Sequence, residues 1–144
     1  MFHFQIMAFQ SMMTLIYYNG QIMTDELMSS QFMSEVARYL EVNNCMTLTT
    51  LKQIILNLFI PFNGKSYTVD LFYRCPITMN GLWTSYRCLT IQDDDDLQYV
   101  VAYAKKYEPL LQFEVMSFIC EYKTTSNIAW EYLEQQLNDS LNIG

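Results

Sequence analysis

The segment Leu48–Phe59 constrains the fold most, because its apolar spacing is helical and both of its ends are marked. Thr47 stands before it as a suitable N-cap, and Pro61 follows it, where continuation would cost a backbone hydrogen bond. One face collects the apolar residues Leu48, Leu51, Ile54, Ile55 and Leu58. The sequence therefore predicts an amphipathic helix that needs an apolar surface to pack on.

Runs typical of β-strands precede this helix. Met13–Tyr18 is apolar and β-rich and leads directly into Asn19-Gly20, a strong signal for a type I′ hairpin turn. We expect the returning strand to begin at Gln21. The residues Thr24–Ser34 are predicted to form a polar, irregular excursion.

Further strands are predicted on both sides of the helix. Val36–Val42 alternates in the manner of a strand, although Met33–Leu40 also allows a helical interpretation. After the helix, Tyr67–Arg74 and Trp83–Ile91 are rich in aromatic and β-branched residues. Pro76 and Asn80-Gly81 between them predict a turn.

A second helix follows a run of four aspartates, Asp93–Asp96. Lys105 and Lys106 fall in its last turns, where the helix dipole favours cations, and Pro109 ends it. Leu110–Phe118 is predicted as the last strand. The apolar residues of this helix recur at helical spacing: Leu97, Val100, Val101, Ala104 and Tyr107.

The element order is strand, strand, helix, strand, strand, helix, strand. This order predicts an α+β β-grasp fold, with a mixed four- to five-stranded sheet, one main helix and a second, shorter helix. We expect residues 1–12 to be a poorly specified segment, residues 13–118 to be the β-grasp domain, and residues 119–144 to be a linker and a short tail helix. The tail helix is predicted over Ile128–Leu141, with Trp130, Leu133, Leu137 and Leu141 on one side.

The charge balance and the motif content exclude several classes of function. Eight Lys and Arg against fifteen Asp and Glu give a formal charge of −7, which repels nucleic acid and anionic membranes. Arg38, Lys52, Arg74 and Arg87 are scattered singly rather than gathered in a patch. The single histidine, His3, and the lack of catalytic motifs predict no enzyme activity, no small-molecule substrate and no cofactor.

The four cysteines, Cys45, Cys75, Cys88 and Cys120, match no zinc-binding spacing. No secretory signal is evident at the amino terminus, so we expect reduced cysteines and a nuclear or cytoplasmic location. The uncharged stretch Met1–Thr24 is interrupted by polar residues and glycine, which argues against a membrane span.

Five phrases, in order, resemble a known family: TLIYYNGQI, MTLTTLKQIILNLF, VDLFYRCPI, YRCLTIQDDDDLQYVVAYAKKY and LLQFEVM. They are similar to the N-terminal PB-one-like (Phox/Bem-type, ubiquitin-like) domain of plant Mutator-like (MuDR-type) transposases. The resemblance covers Met13–Phe118. The DNA-binding, nuclease and zinc-binding parts of such transposases have no counterpart in this chain, so no transposition activity is implied.

The resemblance implies a protein-docking role for the aspartate run. In Phox/Bem-type domains an acidic turn and helix bind a basic strand of a partner. Asp93, Asp94, Asp95 and Asp96 occupy the corresponding place, with Glu108 as an extra acid at the far end of the helix. The family's lysine on the first strand is missing, so docking is expected through the acidic face only, on a protein with a basic surface.

Other interpretations of the same residues stay open. One aspartate can be the N-cap and its neighbours can complement the helix dipole, without any partner. A metal site is not expected, because consecutive aspartates do not reproduce a calcium loop and no glycine supplies its sharp turn. The chain can also be a DNA-binding accessory fragment of a transposase, or a decayed transposon product without function.

Overall fold

A mixed five-stranded sheet carries the main helix on one face in the computed structural model, which describes residues 8–26, 28–79, 83–122 and 125–141. Two further helices and a separate two-stranded sheet complete the structure. The elements are β1 (Ser11–Tyr18), β2 (Gln21–Thr24), β3 (Ser30–Met33), β4 (Val36–Asn43), α1 (Leu48–Phe59), β5 (Tyr67–Met79), β6 (Trp83–Ile91), α2 (Asp94–Lys105), β7 (Phe113–Glu121) and α3 (Thr125–Leu141).

The strand order of the large sheet is β4-β1-β7-β5-β6. The neighbouring strands β1 and β7 are parallel, and every other neighbouring pair is antiparallel. This arrangement confirms the predicted α+β, β-grasp-like fold with one main helix, a second helix and a tail helix.

Helix α1 has the bounds that the sequence predicts. The Thr47 hydroxyl accepts a hydrogen bond from the Thr50 N–H at 3.1 Å, which confirms Thr47 as the N-cap. Leu48, Leu51 and Ile55 are buried against the sheet, and Ile55 has no exposed surface. The apolar stripe of the sequence is therefore the face that builds the core.

The predicted hairpin at Asn19-Gly20 is wrong. Strand β1 pairs with β4, and β2 pairs with β3 in the small sheet. Asn19 does have a positive φ of 46°, but its side chain extends the β1–β7 pairing instead of closing a turn. Its Oδ1 accepts from the Ile119 N–H at 2.6 Å, and its Nδ2 donates to the Ile119 carbonyl at 3.0 Å.

Gly20 is required for close packing. A Cβ atom at this position would lie 1.8 Å from the carbonyl oxygen of Met33 in β3. The glycine therefore lets the two chain segments touch, which is a different role from the turn conformation that the sequence predicts.

The inserted hairpin β2–β3 packs on the face of the sheet opposite α1. The predicted irregular excursion over Thr24–Ser34 is therefore partly a strand. Phe32 and Ser30 are buried there, and the Phe32 ring meets the Tyr17 ring edge-on, 5.8 Å between centroids. The Ser29 hydroxyl accepts a hydrogen bond from the Tyr86 N–H at 3.0 Å.

Two strand boundaries also differ from the prediction. Strand β5 continues through Pro76. Strand β7 pairs with β5 only up to Tyr73, so one edge of β5 has no described strand partner at Pro76. Proline, which has no N–H to donate, is tolerated at such an edge. The predicted turn at Asn80-Gly81 lies outside the described residues. Strand β7 begins at Phe113 instead of Leu110, because the chain after α2 first forms a turn in which the Leu111 N–H donates to the Tyr107 carbonyl.

The sheet extends slightly beyond the expected domain bounds. It begins at Ser11 with Met12 buried, and it ends at Glu121. The tail helix is confirmed as α3, although the side chain of Trp130 lies outside the described residues. All four cysteines are free, and Cys75 is buried while Cys45 and Cys120 are exposed. Among the described helices, none has the length and apolar character needed to cross a membrane.

Candidate acidic docking site

The acidic cluster, Asp93–Asp96, forms the start of α2 at the end of strand β6. Asp93 is the N-cap, and the other three aspartates make up the first turn. Asp93, Asp94 and Asp95 are exposed, and Asp96 is half-buried. Leu97 comes directly after them and is fully buried, so the cluster is anchored to the core at its end.

Asp93 and Asp96 cap the helix between them. The Oδ1 of Asp93 accepts from the Asp96 N–H at 2.8 Å, and the Oδ2 of Asp96 accepts from the Gln92 N–H at 2.9 Å. These bonds satisfy donors that a helix start leaves unpaired. The interpretation of one aspartate as an N-cap is therefore confirmed for Asp93.

Asp94 caps a different helix. Its Oδ1 accepts a hydrogen bond from the Leu48 N–H, in the first turn of α1, at 2.7 Å. Helix α1 has no acidic residue in its own first turn, so Asp94 supplies the negative charge that its dipole favours. Sequence reasoning missed this contact, because the two residues are distant along the chain and no local pattern joins them.

Asp95 is the member of the cluster whose carboxylate caps neither helix. It is exposed, and it has no hydrogen bond or ion pair with any residue that the structure describes. None of the described ion pairs involves the cluster; they are Lys65–Glu121, Arg74–Glu114 and Lys105–Glu108. Asp95 can therefore accept donors from outside the chain.

Glu108 does not join the cluster. It lies beyond the other end of α2, a helix about 18 Å long at 1.5 Å per residue. Its carboxylate forms an ion pair with Lys105, three residues earlier. The structure therefore separates this predicted site residue from the four aspartates.

Arg74 belongs to an internal network instead of a basic surface. Its Nη1 lies 2.7 Å from the Glu114 carboxylate, its Nε donates to the Ser30 carbonyl at 2.7 Å, and its guanidinium lies 3.5 Å from the centroid of the Tyr86 ring. The Tyr17 hydroxyl donates to the same carboxylate. Burial, and next the bond to Glu114, raise the pKa of Tyr17. This network fixes the inserted hairpin to the sheet.

Metal binding has no support in the part of the chain that the structure describes, where no group of three His, Cys, Asp or Glu side chains could hold an ion. Four adjacent carboxylates can, however, accept hydrogen bonds from lysine or arginine side chains. The geometry at the start of α2 is thus suited to a cationic partner.

Comparisons with protein-family models, with curated proteins and with solved structures each found no match for this chain. The similarity to the N-terminal domain of Mutator-like transposases therefore stays a prediction from the phrases quoted above. The β-grasp-like arrangement stands on the strand order itself.

Proposed function

We propose that this chain is a non-catalytic protein-interaction module that docks on a basic surface of a partner protein through the acidic cluster. The observation that carries the proposal is Asp95, an exposed carboxylate with no hydrogen bond or ion pair to the described residues, flanked by further aspartates. Asp93 and Asp94 are also exposed, although each already accepts one capping hydrogen bond.

The caps prepare the cluster for binding. Asp93 and Asp94 hold backbone N–H groups of two helices, and Asp96 holds the Gln92 N–H just before α2. The cluster therefore keeps one backbone geometry before a partner arrives. A preorganised site loses less conformational entropy on association. The like charges of adjacent carboxylates also repel each other, and a lysine or arginine from a partner relieves that repulsion.

Charge favours a protein partner over nucleic acid. The formal charge of −7 steers the chain toward basic surfaces and away from phosphate backbones. Arg74, one of the scattered cations of the sequence, is held by Glu114 with its side chain only 20% exposed. The alternative of a DNA-binding accessory fragment therefore has fewer available cations than the sequence suggests.

The test compares two variants that each remove one negative charge from an exposed side chain. Asp95→Asn changes the cluster, and Glu35→Gln changes an exposed acid between β3 and β4. The full-length chain is the bait in pull-downs, and an immobilised lysine-rich peptide is the defined probe. We expect Asp95→Asn to weaken binding by about tenfold, as a desolvated charge pair does. Glu35→Gln should weaken it by less than about twofold.

Two results would contradict the proposal. Equal losses in both variants would mean that only net charge matters, and the cluster would then be a helix cap alone. Retention on heparin or duplex DNA at low salt, as firm as on the peptide, would favour the nucleic-acid alternative.

A further inference from the structure

A groove runs along α1 on the side facing the first residues of β5. Two adjoining hollows of about 380 and 300 Å³ share Gln53, Leu56 and Tyr67 in their walls, so they form one continuous depression. We call it the α1–β5 groove. Val69 lines one end and Phe62 lines the other.

The groove is open because one edge of β5 has no described strand partner there. Strand β6 pairs with β5 only from Leu71 onward, whereas β7 pairs from Tyr67. The outer edge of residues 67–70 is thus without a strand partner among the described residues. Proteins usually cover such an edge with a helix or a loop.

The lining combines apolar side chains with a larger number of polar ones, such as Gln53. Val69 is buried, Leu56 and Tyr67 are half-buried, and Phe62 is 96% exposed. Aromatic side chains are enriched at protein interfaces, so the exposed Phe62 ring offers an anchor for another polypeptide.

Helix α3 carries an apolar stripe that is largely exposed among the residues that the structure describes. Leu133, Leu137 and Leu141 recur every four residues on one face, and 55%, 61% and 73% of their surfaces are exposed. In proteins most of the stability of a helix comes from tertiary packing of its apolar face. The stripe therefore needs a surface to cover it.

The charges of the two surfaces are complementary. The described side chains of α3 include the exposed acids Glu134 and Asp139 and no lysine or arginine. The groove presents Lys52, which has no ion pair with the described residues, and Lys65, which lies 3.9 Å from Glu121. Asp70 is the only carboxylate in the described lining of the groove.

We propose that α3 of a second copy of this chain occupies the α1–β5 groove, in a reciprocal, two-fold symmetric dimer. In one chain the stripe and the groove are both exposed, so neither covers the other. Exchange between two copies covers both at once, and two-fold dimers are the commonest oligomers. A specific interface requires about 1,000 Å², and the reciprocal exchange supplies two contacts, each along the 17-residue α3, which is about 25 Å long.

Sedimentation equilibrium of the full-length chain tests the dimer between about 5 and 200 µM, a range that resolves dissociation constants near 10 µM. We expect the wild type to reach twice its 17.0 kDa. Leu133→Ser combined with Leu137→Ser removes the stripe, and Phe62→Ser changes a side chain that makes almost no contact within the chain. Both should weaken association by at least about tenfold.

The control is Gln135→Ser, on the opposite side of α3, which should stay dimeric. Asp95→Asn should also stay dimeric, so failure of the dimer and failure of the acidic docking site are distinguishable. A monomer at every concentration overturns the proposal, as does a dimer that survives either the leucine or the Phe62 substitution. If the chain is a monomer and the α3 amides are protected from hydrogen exchange, α3 packs on its own chain. That result also overturns the proposal.

Discussion

The carboxylate of Asp94 accepts a hydrogen bond from the backbone N–H of Leu48 at 2.7 Å, so the start of α2 caps the start of α1. The two helix starts therefore lie side by side and share one acidic residue. This contact divides the acidic cluster by role: Asp94 holds the fold, and Asp95 beside it stays available to a partner.

Asp94→Ala should lower the free energy of unfolding by about 1 to 2 kcal/mol, because the Leu48 N–H loses its acceptor and α1 loses its only described capping carboxylate. Urea denaturation measures the change. Asp95→Ala is the matched control, and we expect a change below about 0.5 kcal/mol for this exposed residue. Equal losses in the two variants would show that the capping bond does not stabilise the fold.

Arg74→Met should lower the free energy of unfolding by about 3 kcal/mol. The substitution leaves the Glu114 carboxylate, only 13% exposed, without its cation, and a buried charge that loses its partner is costly. It also releases the Ser30 carbonyl, so amide exchange should rise first in β2 and β3.

Arg87→Met provides the control for Arg74, since Arg87 is an exposed arginine on the neighbouring strand β6. We expect it to change stability by less than about 0.5 kcal/mol. If Arg74→Met also left the free energy of unfolding and the amide hydrogen exchange of β2 and β3 unchanged, the network would not stabilise the fold.

Gly20→Ala and Gly64→Ala should lower the free energy of unfolding by different amounts. The added Cβ at Gly20 would meet the Met33 backbone, so we expect a loss of more than about 2 kcal/mol from the displaced hairpin. At Gly64 a Cβ meets open space, and only the positive φ of 75° opposes it, at about 1 kcal/mol. Thermal unfolding of both variants gives the comparison, and a Gly20 variant as stable as the Gly64 variant would contradict the close approach.

Stability should fall at alkaline pH. Burial raises the pKa of Tyr17 and of Tyr73 in the folded chain, whereas unfolded tyrosines titrate near about 10. The unfolded chain therefore releases these protons first, and stability that is present below about pH 9 is lost as the pH rises above about 10. Urea midpoints at about pH 8 and pH 10.5 measure the loss. Tyr17→Phe should show a smaller loss between the two values, and an unchanged loss would exclude Tyr17 as a contributor.

Local signals predicted α1 and β6 with their observed bounds. Thr47 and Pro61 mark the ends of α1 by backbone chemistry that acts within a few residues, and a helical period is visible without knowing its partner. The start of α2 was predictable for the same reason, since Asp93 caps a helix within its own segment.

Strand pairing was less predictable, because a strand finds its partner anywhere along the chain. Asn19-Gly20 has the composition of a tight hairpin, yet the Asn19 amide binds the backbone of Ile119 and β1 pairs with β4. The segment Thr24–Ser34, which contains β3, was predicted to be irregular, since the two short strands of the inserted hairpin become stable only when Phe32 packs on the sheet.

The amino-acid sequence by itself determined the helices and most of the strands, where an acidic run opens a helix, and that the chain carries a strong negative charge. Only the tertiary structure decided that Asp94 serves α1, that Arg74 is held inside by Glu114, and that Asp95 is left to solvent. Helix caps and apolar periodicity act between near neighbours and can be recognised in the sequence. The partner of a charged side chain is set instead by which distant segments the fold brings together.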